Sequence, residues 1–293
     1  MNAYSPHDAL IAPALKSSSP WRLLAGIALF VLVFAVLNVV WYSAVKSQFI
    51  LPDALGEISR GTTARGMAIL LSSFFCLLVA LWMTLHLIHG RSMLGLIGPW
   101  RMFRTQTLHV FALLLVLYGL LFLVPTPSDL APEQALLFVK WLSLIPLSFT
   151  LLIIQCCAEE LLFRGYLQSQ LAVRFRSPLL WMVLPSLLFG ALHYEPATYG
   201  DAAIWLALWS SVFGIVAADL TARSGTLGPA IALHVVNNFM AISVTSMKGY
   251  WDGFALYTYP FGPDDTNALM TMLPLEGGIL LCGWLTARIA LRR

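Results

Sequence analysis

The sequence predicts an all-α polytopic membrane protein with about eight transmembrane helices. Of its 293 residues, 59% are hydrophobic and 11% are charged, and the mean hydropathy is +0.81. A soluble domain carries about 25% charged residues because it needs a polar surface, so the composition excludes a soluble protein. The apolar residues also fall into runs of about 20, the length of helix that crosses the hydrocarbon core of a bilayer.

Eight apolar segments satisfy this length. They are 21–45, 67–89, 106–124, 135–157, 178–196, 202–222, 228–246 and 268–290. All should be helical, because backbone hydrogen bonds in lipid must close within the segment, and we expect the fourth to continue toward residue 173. The chain divides accordingly into a polar N-terminal arm (1–20), membrane helices without motifs (21–149), a core of the fourth to seventh helices (150–246), and a loop with the final helix (247–293).

Charges in the connecting loops predict the orientation. Arginines gather on one side of the predicted spans, at Arg91, Arg101, Arg104, Arg174, Arg176, Arg223, Arg288, Arg292 and Arg293, and the opposite side is acidic. By the positive-inside rule both termini are cytoplasmic and the loop after residue 246 is extracytoplasmic. We expect an integral protein of a bacterial inner membrane. The net charge of +3, with no long basic run, gives no reason to expect a nucleic-acid partner.

Ionisable side chains in the first half of the chain lie near the ends of spans. They are His86, His89, His109 and Lys140. Such residues reach the membrane interface by snorkelling, so we assign them no chemistry. The four cysteines, Cys76, Cys156, Cys157 and Cys282, fall within apolar stretches and predict neither disulfides nor a cysteine-rich metal site.

The second half of the chain carries polar residues that snorkelling does not explain. Glu159, Glu160 and Arg164 interrupt an apolar helix, where a charge costs about 2.5–3.5 kcal/mol on the mildest scale. Glu160 and Arg164 have i,i+4 spacing and can pair. Glu159 points about 100° away from that pair. A membrane carboxylate without a partner is a functional candidate by default.

A histidine in the next span matches Glu159 in depth. The chain must reverse between Arg174 and Pro178, and Glu159 and His193 each lie about 22 Å from that turn at 1.5 Å per residue. An antiparallel hairpin therefore brings the carboxylate and the imidazole to the same level. Taken alone, a histidine in this position is more often a packing residue than a site residue, and only its register favours a functional role.

A third polar cluster, His234 and Asn238, follows the helix-breaking segment 224–229. The two residues share a helix face, and they either join helices through a polar contact or belong to a site. Asp219 and Arg223 are also spaced i,i+4 but lie at the end of a span. We interpret them as an interfacial ion pair.

One carboxylate, two imidazoles and an amide suit the hydrolysis of a peptide bond. Glu159 is the candidate general base, and His193 helps to hold the water. His234 and Asn238 supply two donors for the oxyanion of the tetrahedral intermediate. Glu160 with Arg164 fixes the helix that presents Glu159.

Zinc chemistry is the competing mechanism, with Glu159, His193 and His234 as ligands. The His-Glu-x-x-His motif is absent from the sequence and asparagine is a poor zinc ligand, so we favour no cofactor, and a divalent metal such as zinc remains the alternative. Serine chemistry has less support, because no Gly-x-Ser-x-Gly motif is present.

These motifs stand in the order seen in a known family. Glu159-Glu160-x-x-x-Arg164, Phe189-x-x-x-His193 and His234-x-x-x-Asn238 resemble the CPBP family of intramembrane proteases, which includes the type II CAAX prenyl endopeptidases. Phe213-Gly214 and segment 224–229 also resemble that family, and the likeness covers residues 150–245. The resemblance implies an eight-helix endopeptidase in which Glu159 and His193 activate water and His234 with Asn238 forms the oxyanion hole.

The expected partners are a membrane-associated protein or peptide substrate, prenylated or not, and membrane lipid. The oligomeric state is left open. The main alternative is a noncatalytic immunity or adaptor protein on the same scaffold. A transporter would show inverted repeats with matched broken helices, whereas the polar membrane residues here cluster after residue 150.

Overall fold

The computed structural model describes residues 3–48, 54–124, 128 and 130–292. It is 78% helical, which confirms the predicted all-α class. Within the described residues, eight apolar helices correspond to the eight predicted segments. They are α1 (Pro20–Gln48), α2 (Ala64–His89), α3 (Trp100–Leu121), α4 (Phe138–Ala172), α5 (Leu179–Ala191), α6 (Pro196–Ser224), α7 (Gly228–Val244) and α8 (Thr266–Leu291).

Six of these helices are long and apolar enough to cross a membrane, whereas α5 and α7 are shorter. The α4 helix continues to Ala172, close to the predicted limit of residue 173. The predicted fifth and seventh segments extend past the ends of α5 and α7, because a turn follows Ala191 and an extended strand follows Val244. The two short helices are the ones that lead to His193 and carry His234.

The remaining elements are short. The N-terminal arm contains Ser5–His7, Asp8–Ile11 and Ala12–Ser17, and further helical turns lie at Ala54–Arg60 and Met93–Leu96. Strands β1 (Glu133–Gln134), β2 (Thr245–Ser246) and β3 (Tyr257–Thr258) form a small sheet, in which β3 pairs antiparallel with β1 and parallel with β2. The sheet joins the loop after α7 to the segment before α4.

Several helices contain widened π turns. They lie at Leu85–His89, Leu161–Gln168, Leu179–Val183 and Met240–Val244. The turn in α4 begins directly after Glu159 and Glu160. Such turns are common at functional sites, because they change the direction in which side chains leave a helix.

The α7 helix is the centre of the bundle. Every residue from Gly228 to Val236 is buried. It begins after Gly225, which ends α6 in the left-handed conformation at φ 72°. That conformation is nearly free of cost for glycine alone, so the tight turn that sends α7 back into the protein depends on this residue.

The N-terminal arm docks against one end of the bundle. Its buried side chains include His7 and Leu10, each 1% exposed. Tyr4 Oη donates to Asp219 Oδ1 at 2.8 Å, and Trp284 of α8 donates to the other oxygen of Asp219 at 2.9 Å. The Asp219–Arg223 pair is present at 2.8 Å, and it also holds the arm.

His89 contradicts the snorkelling interpretation. Its side chain is 5% exposed, whereas His86, His109 and Lys140 are exposed as expected. The His89 ring contacts Ser17 Oγ at 3.0 Å through Nδ1 and Tyr166 Oη at 2.9 Å through Nε2. The arm and α4 cover this end of α2 and replace the water that a snorkelling side chain would reach.

Candidate active site

The centre of the site is a contact between α4 and α7. Glu159 Oε2 lies 3.4 Å from His234 Nε2, and the two residues are 9% and 3% exposed. Both side chains are therefore removed from water. An isolated ion in such a buried position is very unfavourable. Since α4 and α7 run in opposite directions, a carboxylate late in one helix meets an imidazole early in the other.

The neighbouring carboxylate of Glu160 orients this histidine. Glu160 Oε1 accepts a hydrogen bond from Arg164 Nη1 at 2.9 Å, as the i,i+4 spacing predicts, and another from His234 Nδ1 at 2.8 Å. The spacing in the sequence predicted the contact with Arg164 but not the contact with His234. Because Nδ1 donates to Glu160, the Nε2 atom of His234 is directed at Glu159.

Ionised side chains in this cluster balance one another. Arg164 and Glu160 are 1% and 0% exposed, and their charges cancel. An ionised Glu159 and a protonated His234 also cancel, so the four groups carry no net charge in that state. The same balance holds when the proton moves from His234 to Glu159, so one proton can be shared between them without a buried net charge.

A second polar contact lies one helical turn from the first. Asn238 Nδ2 donates to Gln155 Oε1 at 3.2 Å, and Gln155 is 5% exposed. Gln155 precedes Glu159 by four residues and Asn238 follows His234 by four, so the two contacts share one antiparallel register. Gln155 was not among the predicted site residues, although its i,i+4 spacing from Glu159 was available as a signal.

His193 lies at the edge of this group. It follows the end of α5 and is exposed, and its Nδ1 donates to the carbonyl of Phe189 at 2.8 Å. The ring interacts electrostatically with the Glu159 carboxylate, but no hydrogen bond joins the two side chains among the contacts of the described residues. The hairpin thus brings His193 toward Glu159 with Nε2 free, while His234 makes the direct contact.

Aromatic rings enclose the charged cluster. Phe213 lies 4.9 Å from the His234 ring and Phe189 lies 6.1 Å from it, both edge-on. The guanidinium of Arg164 stands over the Phe189 ring at 4.7 Å. These rings exclude water and lower the local dielectric, so the electrostatic interactions inside are stronger than in solvent.

Some buried polar atoms of the cluster have no hydrogen-bond partner within the described structure. They are Glu159 Oε2, Glu160 Oε2 and Arg164 Nη2. Buried polar groups are usually satisfied, and exceptions concentrate at reactive sites. The unsatisfied oxygen of Glu159 is the one that faces His234.

The residues named for a metal site do not form a ligand set. Among the residues that the structure describes, no three His, Cys, Asp or Glu side chains are grouped closely enough to hold a metal ion. Of the proposed ligands, Glu159 and His234 face each other, and His193 stands apart at the edge.

Comparisons with known proteins agree with the motif analysis. Residues 141–240 match the family model described as type II CAAX prenyl endopeptidase Rce1-like, and the six predicted site residues all lie within this range. The chain is also similar to an uncharacterized protein, YyaK, of Bacillus subtilis (strain 168), with 23% identity over 277 residues that cover 90% of this chain and 92% of the relative. No solved structure matches. The predicted resemblance to the CAAX-type intramembrane proteases is confirmed.

Proposed function

We propose that this protein is an intramembrane endopeptidase that hydrolyses a peptide bond of a membrane-associated protein or peptide. The observation that carries the proposal is the buried Glu159–His234 contact inside a cluster of balanced charge. The family match supports a protease of the CAAX type in a lipid environment. The choice of glutamate as the base, and the role of each residue, are our inference.

In the first step, Glu159 accepts a proton from a water molecule, and the resulting hydroxide oxygen bonds to the carbonyl carbon of the peptide. His193 Nε2 is free to accept the second hydrogen of that water, because Nδ1 already donates to the Phe189 carbonyl. A general base of this kind contributes about 10²–10⁴-fold to the rate. The carboxylate becomes a carboxylic acid, and the carbonyl oxygen becomes an oxyanion.

The oxyanion is stabilised by His234 and Asn238. His234 can donate from Nε2 only as an imidazolium, since Nδ1 is bound to Glu160. Asn238 donates one N–H to Gln155 and keeps a second for the oxyanion. In the last step the protonated Glu159 gives its proton to the leaving amine as the C–N bond breaks.

The test compares membrane proteins from cells that express wild-type protein, Glu159→Gln or His234→Gln. We expect new peptide termini, identified by mass spectrometry of the membrane fraction, to appear with wild type and to fall at least about 100-fold in both variants. Glu133→Gln is the matched control, because Glu133 is an exposed carboxylate in β1. Comparable cleavage by Glu159→Gln, at equal amounts of folded protein, would show that this mechanism is wrong.

The purified protein and the Glu159→Gln variant also test the two alternatives, a metal mechanism and a noncatalytic role. A glutamate mechanism predicts that purified protein cleaves an identified substrate equally well after treatment with a zinc chelator, and loss of activity that zinc restores would favour the metal mechanism. If a host phenotype of the protein persists in Glu159→Gln, the noncatalytic immunity or adaptor role is correct instead.

A further inference from the structure

A chain of hydrogen bonds leads away from Asn238 in both directions. On one side, Asn238 Nδ2 donates to Gln155 Oε1 at 3.2 Å. On the other, Asn238 Oδ1 accepts from Asn237 Nδ2 at 3.4 Å, and Asn237 Oδ1 accepts from Tyr118 Oη at 3.3 Å. Four side chains from α3, α4 and α7 are therefore linked end to end.

This chain determines which way the Asn238 amide faces. If the amide turned over, its oxygen would oppose the oxygen of Gln155, and its N–H groups would oppose those of Asn237. Both contacts would change from attractive to repulsive unless the neighbours turned as well. Tyr118, 6% exposed, and Gln155, 5% exposed, are packed in the interior, so the ends of the chain are held.

The orientation matters because an amide has two chemically opposite ends. With N–H toward the reacting carbonyl, Asn238 stabilises the oxyanion, and with its oxygen there it repels the same charge. Stabilisation of an oxyanion depends on donors that are already oriented before the reaction. An asparagine with no neighbours to fix it would spend part of its time in the wrong orientation.

We propose that Gln155 is a positioning residue of the proposed peptidase, which accepts a hydrogen bond from Asn238 and holds its second N–H for the oxyanion. The inference rests on the proposed function and adds to it a residue outside the three family-like motifs. Tyr118 and Asn237 support the opposite side of the same amide. Gln155 acts through Asn238 and has no contact with the reacting atoms of its own.

The test is a double-mutant cycle with Gln155→Met and Asn238→Ala. Methionine has nearly the length of glutamine but no hydrogen-bonding oxygen. We expect Gln155→Met to lower kcat about 10–100-fold with KM changed less than about 3-fold, because one misplaced oxyanion donor costs up to about 10²–10³-fold. In the Asn238→Ala background the same substitution should cost less than about 2-fold, since the residue through which it acts is gone.

Gln170→Met is the matched control. Gln170 is also a fully buried glutamine of α4, but its amide faces Ser17 and His89 at the far end of the helix. We expect the kcat of the Gln170→Met variant to stay within about 2-fold of the wild-type value. If Gln155→Met does not yield folded protein, Tyr118→Phe tests the same chain from its other end, with an expected loss in kcat of about 3–10-fold that also disappears in Asn238→Ala.

The outcomes separate this inference from the function on which it rests. Full activity of Asn238→Ala or Glu159→Gln would overturn the proposed mechanism. Full activity of Gln155→Met, alongside loss of activity in those two variants, would overturn the positioning role alone. An equal loss from Gln155→Met in wild type and in Asn238→Ala would also overturn it, because it would show that Gln155 acts independently.

Discussion

Glu160 accepts hydrogen bonds from two side chains that are far apart in the sequence. Arg164 lies one turn along the same helix, and His234 lies 74 positions further along the chain. Removing one partner of such a buried group leaves the other charge uncompensated, which typically costs about 3–5 kcal/mol. Glu160 therefore compensates the buried charge of Arg164 and, at the same time, directs His234 toward Glu159.

His7 in the N-terminal arm predicts a pH dependence. Burial lowers the pKa of His7 from its ordinary value of 6.5 to about 4, and its ring packs 4.9 Å from Trp181. Between these two values an undocked arm binds a proton that the docked arm does not, so docking weakens as the pH falls from 6.5 toward 4. Above pH 6.5 the contribution of His7 to docking is complete.

Docking of the arm can be measured by the fluorescence anisotropy of a dye attached to an Ala9→Cys variant that lacks the native cysteines. Ala9 is exposed, so the dye does not disturb the packing of the arm. We expect the anisotropy to fall as the pH is lowered from 6.5 to 4 in the parent protein. His7→Phe keeps a ring against Trp181 but has no titratable group, so its signal should stay constant over this range. The same transition in both proteins would refute the assignment to His7.

At the scale of elements, α5 and α6 approach closely through glycine. A methyl group on Gly190 would come within 1.9 Å of Ser211 Oγ and 2.4 Å of the Ala207 carbonyl oxygen. The side chain of Ser211 can rotate away, but the backbone of α6 cannot. The close approach of these helices sets the position of the turn after α5, and His193 lies in that turn.

Gly190→Ala is therefore expected to destabilise the protein by about 1–3 kcal/mol, as overpacking of a full interior does, and to reduce cleavage by displacing His193. Thermal unfolding in detergent and the cleavage assay measure the two effects. Gly119→Ala is the control, because a methyl group there meets nothing within 4 Å. Alanine favours helix over glycine by about 1 kcal/mol, so this variant should be unchanged or slightly more stable. Equal behaviour of the two variants would contradict the packing argument.

At the scale of the whole molecule, the N-terminal arm and the last helix, α8, meet at one end of the bundle. Tyr4 of the arm and Trp284 of α8 donate to the same carboxylate of Asp219. Arg174 donates to the carbonyls of Ser17 and Ser19 in the arm at 3.0 and 2.7 Å. The N-terminal arm, the last turns of α8 and Arg174 therefore share one side of the bundle. By the positive-inside rule we expect that side to face the cytoplasm.

Single cysteines test this orientation. Arg101, in the first turn of α3, and Asp264, in the loop before α8, are exposed residues. Each is replaced by cysteine in a protein whose four native cysteines are alanine. We expect a membrane-impermeant maleimide to label Asp264→Cys in intact bacterial spheroplasts and Arg101→Cys only after the membrane is opened. The reverse labelling pattern would place the termini outside.

The sequence by itself determined the features that depend on local composition and helical periodicity. It identified eight apolar helices, the pairing of Glu160 with Arg164, and the residues whose charges needed an explanation in lipid. Each follows from residues within a few turns of one another, where the spacing along a helix sets which side chains share a face.

Tertiary packing decided which faces meet. The antiparallel register of α4 against α7 places Glu159 opposite His234 and Gln155 opposite Asn238, and the docked arm turns His89 from an interfacial residue into a buried one. No local pattern in the sequence identifies these partners, because the residues on a helix face are the same whichever helix packs against it. The partners were set by how the helices fill space together, and that depends on the whole chain at once.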